Sequence, residues 1–407
     1  MAITHSKRSG SADLPLHNGH VPLWLAERMG RLGLAITEAV RAEYGKAEVL
    51  RRLSDPFWFQ SLGCVMGMDW HSSGITTSVM GALKRTINPH AKELGIYICG
   101  GKGKASRLTP QELIQVGDQT GLDGHHLARC SKLSAKVDNT AVQDGFQLYL
   151  HNFIVTDEGD WAVVQQGMNP GTGLARRYHW HSSSLTSFVD EPHKAVCGSN
   201  QGDILNMVAH EAQLTRDTIL NMKFESPEKL ISEAQKLRMP SHHDVQISDV
   251  NLKRLGSVLW LAHEKQPSDF EALLLLEGLG PRTLQSLTLV SEMIYGTPSR
   301  FKDPARFSFA HGGKDGHPFP VPVKIYDETI HTLKTAVEKA KIGQADKQQA
   351  IKSLSQLAMQ AEKNFVPNAD LYKVIEKERE ESWKYDGRTV FGKAPKLSKK
   401  DQQLNLW

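Results

Sequence analysis

Phe146-Gln-Leu-Tyr-Leu-His-Asn-Phe-Ile-Val-Thr156, then Asp157-Glu-Gly-Asp160, then Trp161-Ala-Val-Val-Gln-Gln-Gly167 is the stretch on which the fold turns. Two runs rich in β-branched and aromatic residues flank a short polar turn, which predicts a β-hairpin. Arg176-Arg-Tyr-His-Trp-His181 supplies a third strand, so the region reads as an antiparallel meander.

Toward the N-terminus the pattern is mixed. After Pro22, Leu23, Leu25, Met29, Leu32, Leu34, Ile36 and Val40 recur at helical spacing over 22–50. The apolar run Phe57–Met68 reads as a strand. Thr76 and Thr77 can cap a helix through Met80, Leu83 and Ile87, and Gly95-Ile-Tyr-Ile-Cys-Gly100 is a second short strand. Toward the C-terminus the chain turns helical, with segments at Asp203–Asn221, Pro227–Arg238 and Val250–Glu264, and a helix pair around Gly278. Thr297–Pro322 is too punctuated by Pro and Gly for regular structure. Helices resume at Tyr326–Lys341 and Ala345–Phe365, and Lys384–Lys400, with six basic residues against Asp386, reads as a mobile basic tail.

The predicted class is therefore α+β. A mixed α/β domain carrying the meander spans 1–200, and an all-α domain with the helix pair spans 201–325. A helical segment follows at 326–383, with the tail at 384–407. A length of 407 residues fits more than one domain.

Net charge is only +4, from 49 basic and 45 acidic residues, so any nucleic-acid surface must be local. No apolar run follows the basic N-terminus, and no segment approaches the roughly 18 apolar residues of a membrane span, so the chain reads as cytoplasmic with no membrane partner. Cys64, Cys99, Cys130 and Cys197 are widely spaced and form no Cys-x-x-Cys pair, which predicts buried, reduced thiols. The long helices at 326–365 leave room for a second copy, but lack the strict heptad of a coiled coil.

Phe270-Glu-Ala-Leu-Leu-Leu-Leu-Glu-Gly278-Leu-Gly280-Pro-Arg-Thr-Leu-Gln-Ser-Leu-Thr-Leu-Val290 carries the strongest functional signal. One apolar helix ends at Gly278 and another begins at Pro281, with Leu279 placed to plug the pair's core. Without side chains on Gly278 and Gly280, backbone N–H groups at the positive end of the second helix can face an anion. The pattern resembles the helix-hairpin-helix of DNA repair and recombination proteins, which implies sequence-independent binding of the DNA backbone by Gly278, Leu279, Gly280, Arg282 and Thr283. A tight helix–helix turn with nothing bound is the plain alternative.

Asp69-Trp-His-Ser-Ser-Gly-Ile-Thr-Thr, the Gly100–Lys104 loop, Lys136-Val-Asp138-Asn, Gln143-Asp144-Gly, Trp161–Asn169 and Ala175-Arg-Arg-Tyr-His-Trp180 together resemble the archaeal and bacterial domain-of-unknown-function family 763. The likeness runs from Leu14-Pro-Leu-His-Asn-Gly-His to the Pro318-Phe-Pro-Val region. It implies a DNA nuclease with a helix-hairpin-helix attached.

The residues support hydrolysis as follows. Phosphodiester cleavage commonly uses carboxylate-held Mg2+ or Mn2+ to polarise phosphate and activate water. Asp138 and Asp144 flank the start of a predicted strand and Asp69 ends another, so the three are candidate ligands. His71, His151, Gln165 and Gln166 are candidates to complete the site, with Lys136 or Lys102 on the scissile phosphate. Lys102, Lys104, Arg176 and Arg177 are candidate DNA contacts. Asp138-Asn and Asp144-Gly are also favoured turn pairs. An Asp…Glu-x-Lys signature is missing, with Gln165-Gln166 in its place, and Gly100-Gly-Lys-Gly-Lys lacks the P-loop frame. Two other readings stay open: a repair glycosylase or lyase using Asp303 or Asp315, and a DNA-binding protein without catalysis.

Overall fold

In the computed structural model the described residues are 23–68, 74–198, 200–236, 252–305, 323–364, 388–389 and 392–393. Helix α1 (Leu23–Tyr44) buries Met29, Leu32, Ile36 and Val40, the predicted stripe. Gly45, at φ +88°, separates it from α2 (Lys46–Ser54). The run read as a strand over 57–68 is instead helix α3 (Pro56–Val65), and every one of its residues is buried. Asp55 caps it by accepting from Trp58 N at 2.7 Å, and Pro56 occupies the first turn. A helix buried all round has no polar face, so its periodicity cannot be told from a strand's, and the Asp-Pro start was the distinguishing local signal.

Next come α4 (Ile75–Ile87), α5 (Ala91–Leu94), β1 (Ile96–Lys102), α6 (Lys104–Arg107), α7 (Thr109–Thr120) and α8 (Gly124–Lys136). Thr76 and Thr77 lie inside α4, whose N-cap is Gly74. A π-type turn, Val137–Ala141, leads into β2 (Val142–Gln143). The meander follows as β3 (Gln147–Thr156), β4 (Trp161–Met168) and β5 (Ala175–His181), with the predicted turn at 157–160. Then come β6 (Ala195–Cys197), β7 (Asp203–Asn206), α9 (Gln213–Asn221), α10 (Pro227–Lys236), α11 (Leu252–Lys265), α12 (Phe270–Leu274), α13 (Pro281–Tyr295), β8 (Phe301–Lys302), α14 (Val323–Lys339) and α15 (Gln344–Asn364). Within the predicted basic tail, β9 (Arg388–Thr389) pairs with β10 (Gly392–Lys393).

The main sheet is antiparallel throughout, in the order β1-β3-β4-β5-β6. Its strands read as near-continuous apolar runs because helices cover both faces. Alternate residues divide between two cores. Phe153, Val155, Trp161, Val163, Tyr178 and Trp180 join one cluster with Leu127 of α8, Leu259 of α11 and Leu284 and Leu287 of α13. Ile154, Ala162 and Val164 join the other with α1–α4 and with Leu333 and Val337 of α14.

The region after residue 200 is not wholly helical. β7 pairs with β2 and with β8, forming a second, three-stranded sheet across a wide stretch of chain. The boundary predicted at 200 does not separate two cores, since the first cluster runs from Ala91 to Ala305. Taken by contacts, the chain divides into Met1–Leu357 and Ala358–Trp407. Among the described residues no helix is long and apolar enough to cross a membrane.

Candidate nucleic-acid interface

The hairpin is built from local signals. Asp269 caps α12, its carboxylate accepting from Ala272 N at 2.8 Å, and that helix lasts only five residues. Gly278 then turns the chain at φ +81°, a conformation that strains any residue with a Cβ. Leu279 goes inward, 1% exposed, into the core it shares with Leu274, Leu284 and Leu287. Gly280 is extended at the N-cap of α13, and Pro281 sits in the first turn. Thr283 is buried and its hydroxyl donates to Gly278 O at 3.4 Å. Gly278, Pro281 and Arg282 are exposed, so the turn faces outward over its own buried plug.

Two side chains from the preceding layer hold this turn. Lys136 donates its ammonium to Leu279 O, and Gln143 Nε2 donates to Pro281 O at 2.8 Å. Lys136 therefore supports the hairpin rather than meeting a scissile phosphate from an open loop. The π-type turn between these two residues carries Asp138.

Asp138 is fully buried and its oxygens are occupied. Oδ2 accepts from Gln165 Nε2 and, at 2.9 Å, from Trp180 Nε1, and Oδ1 pairs with His193 Nε2. Gln165 continues the network inward. Its carbonyl faces His151 Nδ1 at 2.7 Å, and His151 Nε2 lies 2.8 Å from Ser131 Oγ. With Gln165 donating to Asp138, His151 donates from Nδ1 and accepts the Ser131 hydroxyl proton at Nε2. Burial lowers the His151 pKa, which favours this neutral imidazole. Trp180 packs edge-on to the His193 ring at 4.7 Å.

Asp144 belongs to a different centre. Its Oδ2 accepts from Arg176 Nη1 at 2.7 Å and Tyr178 Oη at 2.6 Å, and its Oδ1 accepts from Phe146 N at 3.0 Å. Arg176 also grips Asp303 through both terminal nitrogens, at 3.0 and 2.7 Å. All three side chains are 0% exposed. Burial pushes the Asp144 pKa up against the pull of Arg176. Burial also opposes the Arg176 charge, but the two carboxylates outweigh it and hold the guanidinium above its ordinary pKa.

Several predicted site roles change accordingly. Asp138 and Asp144 do not fit a divalent cation: their oxygens are spent on buried donors, and they belong to separate networks. Among the described residues no three or more His, Cys, Asp or Glu side chains are grouped to hold a metal ion. Asp69, His71 and Asp315 lie outside the described residues. Asp303 accepts from Gln201 N and Ala305 N as well as Arg176, so it is a buried anchor.

Arg176 and Arg177 face the interior rather than DNA. Arg177 donates to His179 Nε2 at 2.7 Å and Gln60 Oε1 at 2.9 Å, and stacks over Phe59 at 4.8 Å. Gln166 Nε2 donates to Tyr149 Oη at 2.7 Å. The segment expected as a basic loop is ordered instead: Lys102 ends β1 and Lys104 opens α6, and both are exposed. Trp180, Tyr178, Ser131 and Gln60 escaped the sequence reading because nothing local marks their partners. His193 follows Asp190-Glu191 in a chain with 18 histidines, and nothing local marks it as the partner of Asp138.

The fold and site define an α+β protein whose helix-clad antiparallel sheet carries a glycine-turned helical hairpin. The chain belongs to the family described as protein of unknown function DUF763, whose profile matches residues 10–321. No curated protein and no solved structure shows significant similarity to it.

Proposed function

We propose that this protein binds DNA by its phosphate backbone through the Gly278–Gly280 hairpin, without reading sequence. The observation that carries this reading is the exposed turn itself, with Gly278 at φ +81°, Leu279 buried beneath it, and Gly280 and Pro281 opening α13 beside exposed Arg282. Such a turn offers backbone donors and a helix dipole to a phosphate oxygen. Lys102 and Lys104 supply further exposed positive charge. Buried thiols at all four cysteines suit a reducing, cytoplasmic compartment.

The test is titration of fluorescent duplex and single-stranded DNA at several salt concentrations. Wild type is expected to bind with a salt slope, and Arg282→Glu to weaken binding by about tenfold equally across sequences. Binding unchanged in Arg282→Glu and in Gly280→Glu would overturn the reading.

A second reading, phosphodiester hydrolysis, is favoured by the His193–Asp138 pair, in which a carboxylate fixes an imidazole beneath the hairpin's supporting turn. In this reading Asp138 holds His193 through Nε2, the other ring nitrogen takes a proton from the water whose oxygen attacks phosphorus, and the P–O bond to the leaving sugar oxygen breaks as that oxygen takes up a proton from the imidazolium or solvent. Labelled single-stranded and plasmid DNA, incubated with Mg2+, Mn2+ or EDTA, should be cleaved by wild type and spared by His193→Gln and Asp138→Asn. Equal cleavage by both variants would sink it.

A further inference from the structure

A cavity of about 700 Å3 opens between α4 and the ends of β1 and β3. Its size falls within the roughly 300–1,000 Å3 of small-molecule sites. Two glycines make the room. Gly81 presents a bare patch of α4, where an added Cβ would meet only Arg85 Nη1 at 3.8 Å, and Gly101 at φ +143° leaves β1 without a side chain. Met80 and Leu150 provide apolar wall.

The polar lining divides into spent and unspent groups. Lys84 is bound to both Glu112 oxygens and to Gly100 O, and the Asn88 amide bonds both backbone groups of Ile98. Asn152, by contrast, is 1% exposed and makes one long contact, Nδ2 to Val164 O at 3.5 Å. A buried amide with so little satisfaction at a cavity wall is shaped for a ligand's hydrogen bonds. Arg85 is exposed and takes part in no hydrogen bond or ion pair with any described residue. Lys102 is exposed beside it, resting 5.8 Å over the Tyr149 ring.

We propose that this cavity binds one nucleotide unit, its phosphate on Arg85 and Lys102 and its base between the apolar wall and the Asn152 amide. An uncharged apolar ligand would leave Asn152 with only its one long contact, and a cation would face two uncompensated positive charges. A planar, polar-edged ring joined to an anion satisfies all three features. The nucleotide comes either from a DNA strand, an arm that rests on the backbone-binding reading, or from solution as a free mononucleotide, an arm that does not.

The experiment measures calorimetric binding of 5′-dAMP and of a 5′-phosphorylated ten-nucleotide single strand to the full chain. Gly81→Leu fills the cavity from a helix position with open space, so thermal stability should hold while affinity for the bound probe drops about tenfold or more. Arg85→Glu should do the same, and Asn152→Asp should alter preference among the four mononucleotides. Cavity-dependent binding of 5′-dAMP assigns a free nucleotide, and cavity-dependent binding of the strand alone assigns a strand. Arg282→Glu, which tests the hairpin, should leave 5′-dAMP binding unchanged, so the two readings can fail separately. Wild-type binding of neither probe, or unaltered binding in both Gly81→Leu and Arg85→Glu, would overturn the proposal.

Discussion

Lys136, the last residue of α8, donates its ammonium to the backbone carbonyl of Leu279, 143 residues further along the chain. The contact clamps the outward turn of the hairpin to the layer beneath it. It also couples the most legible motif of the sequence to the π-type turn that carries Asp138.

Lys136→Met keeps the apolar stem and removes the charge, leaving the Leu279 carbonyl without that donor. The expected cost is about 1.5–3 kcal/mol in urea unfolding. Under the proposed function, binding of DNA through the hairpin should weaken as well. A variant as stable as wild type would show that the clamp contributes nothing.

Arg176 is paired with the buried carboxyl groups of both Asp144 and Asp303, so Arg176→Met should cost about 3–5 kcal/mol, more than removal of any exposed cation. Asp144 adds a pH signature. Burial raises its folded pKa above the unfolded value of about 3.9. Its contribution is therefore fully present below that value and is lost as pH rises through the folded pKa. Relative to Asp144→Asn, wild type should gain stability as pH falls from 7 toward 4, and parallel curves would contradict this.

His151, His179 and His181 act in the opposite direction. Burial lowers all three pKa values, that of His179 with further help from Arg177. Below the unfolded value of about 6.5 the unfolded chain takes up protons that the folded chain refuses, so stability is lost as pH falls toward the folded values. Each fully suppressed histidine costs up to about 1.4 kcal/mol per pH unit in that window. His179→Gln keeps an acceptor for Arg177 but cannot titrate, and should flatten the decline between pH 6.5 and 5 in denaturation curves.

Burial pushes the thiol pKa of Cys99 up to about 12, and those of Cys130 and Cys197 up to about 11. Thiols so protonated and enclosed should resist alkylation. Mass spectrometry after iodoacetamide at pH 8 should find the native protein unmodified and the urea-unfolded chain labelled at Cys64, Cys99, Cys130 and Cys197. Rapid labelling of the native protein would refute the burial.

How far the sequence could be read depends on the range over which each feature is decided. The meander is legible because alternation and a polar turn act over a few residues, and β3, β4 and β5 lie where those signals place them. The hairpin turn is legible because only glycine sits easily at the Gly278 φ and proline suits a first helical turn. Segment 57–68 was misread because burial on every side erases the polar face that distinguishes a helix. The β7 and β8 pairings were hidden because short strands gain their identity from distant partners.

By itself, then, the sequence determined local backbone form, the inward plug of Leu279 and the burial of four cysteines. These follow from stereochemistry and hydrophobicity acting between near neighbours. Only the tertiary structure decided where each charge would be used. Arg176 meets Asp303 across 127 positions of chain, and Asp138 finds His193 across 55. A buried ion must find a partner, because desolvating it alone costs several kcal/mol. Which partner it finds is set by how the sheet and its helical layers bring remote segments together, and no local pattern records that.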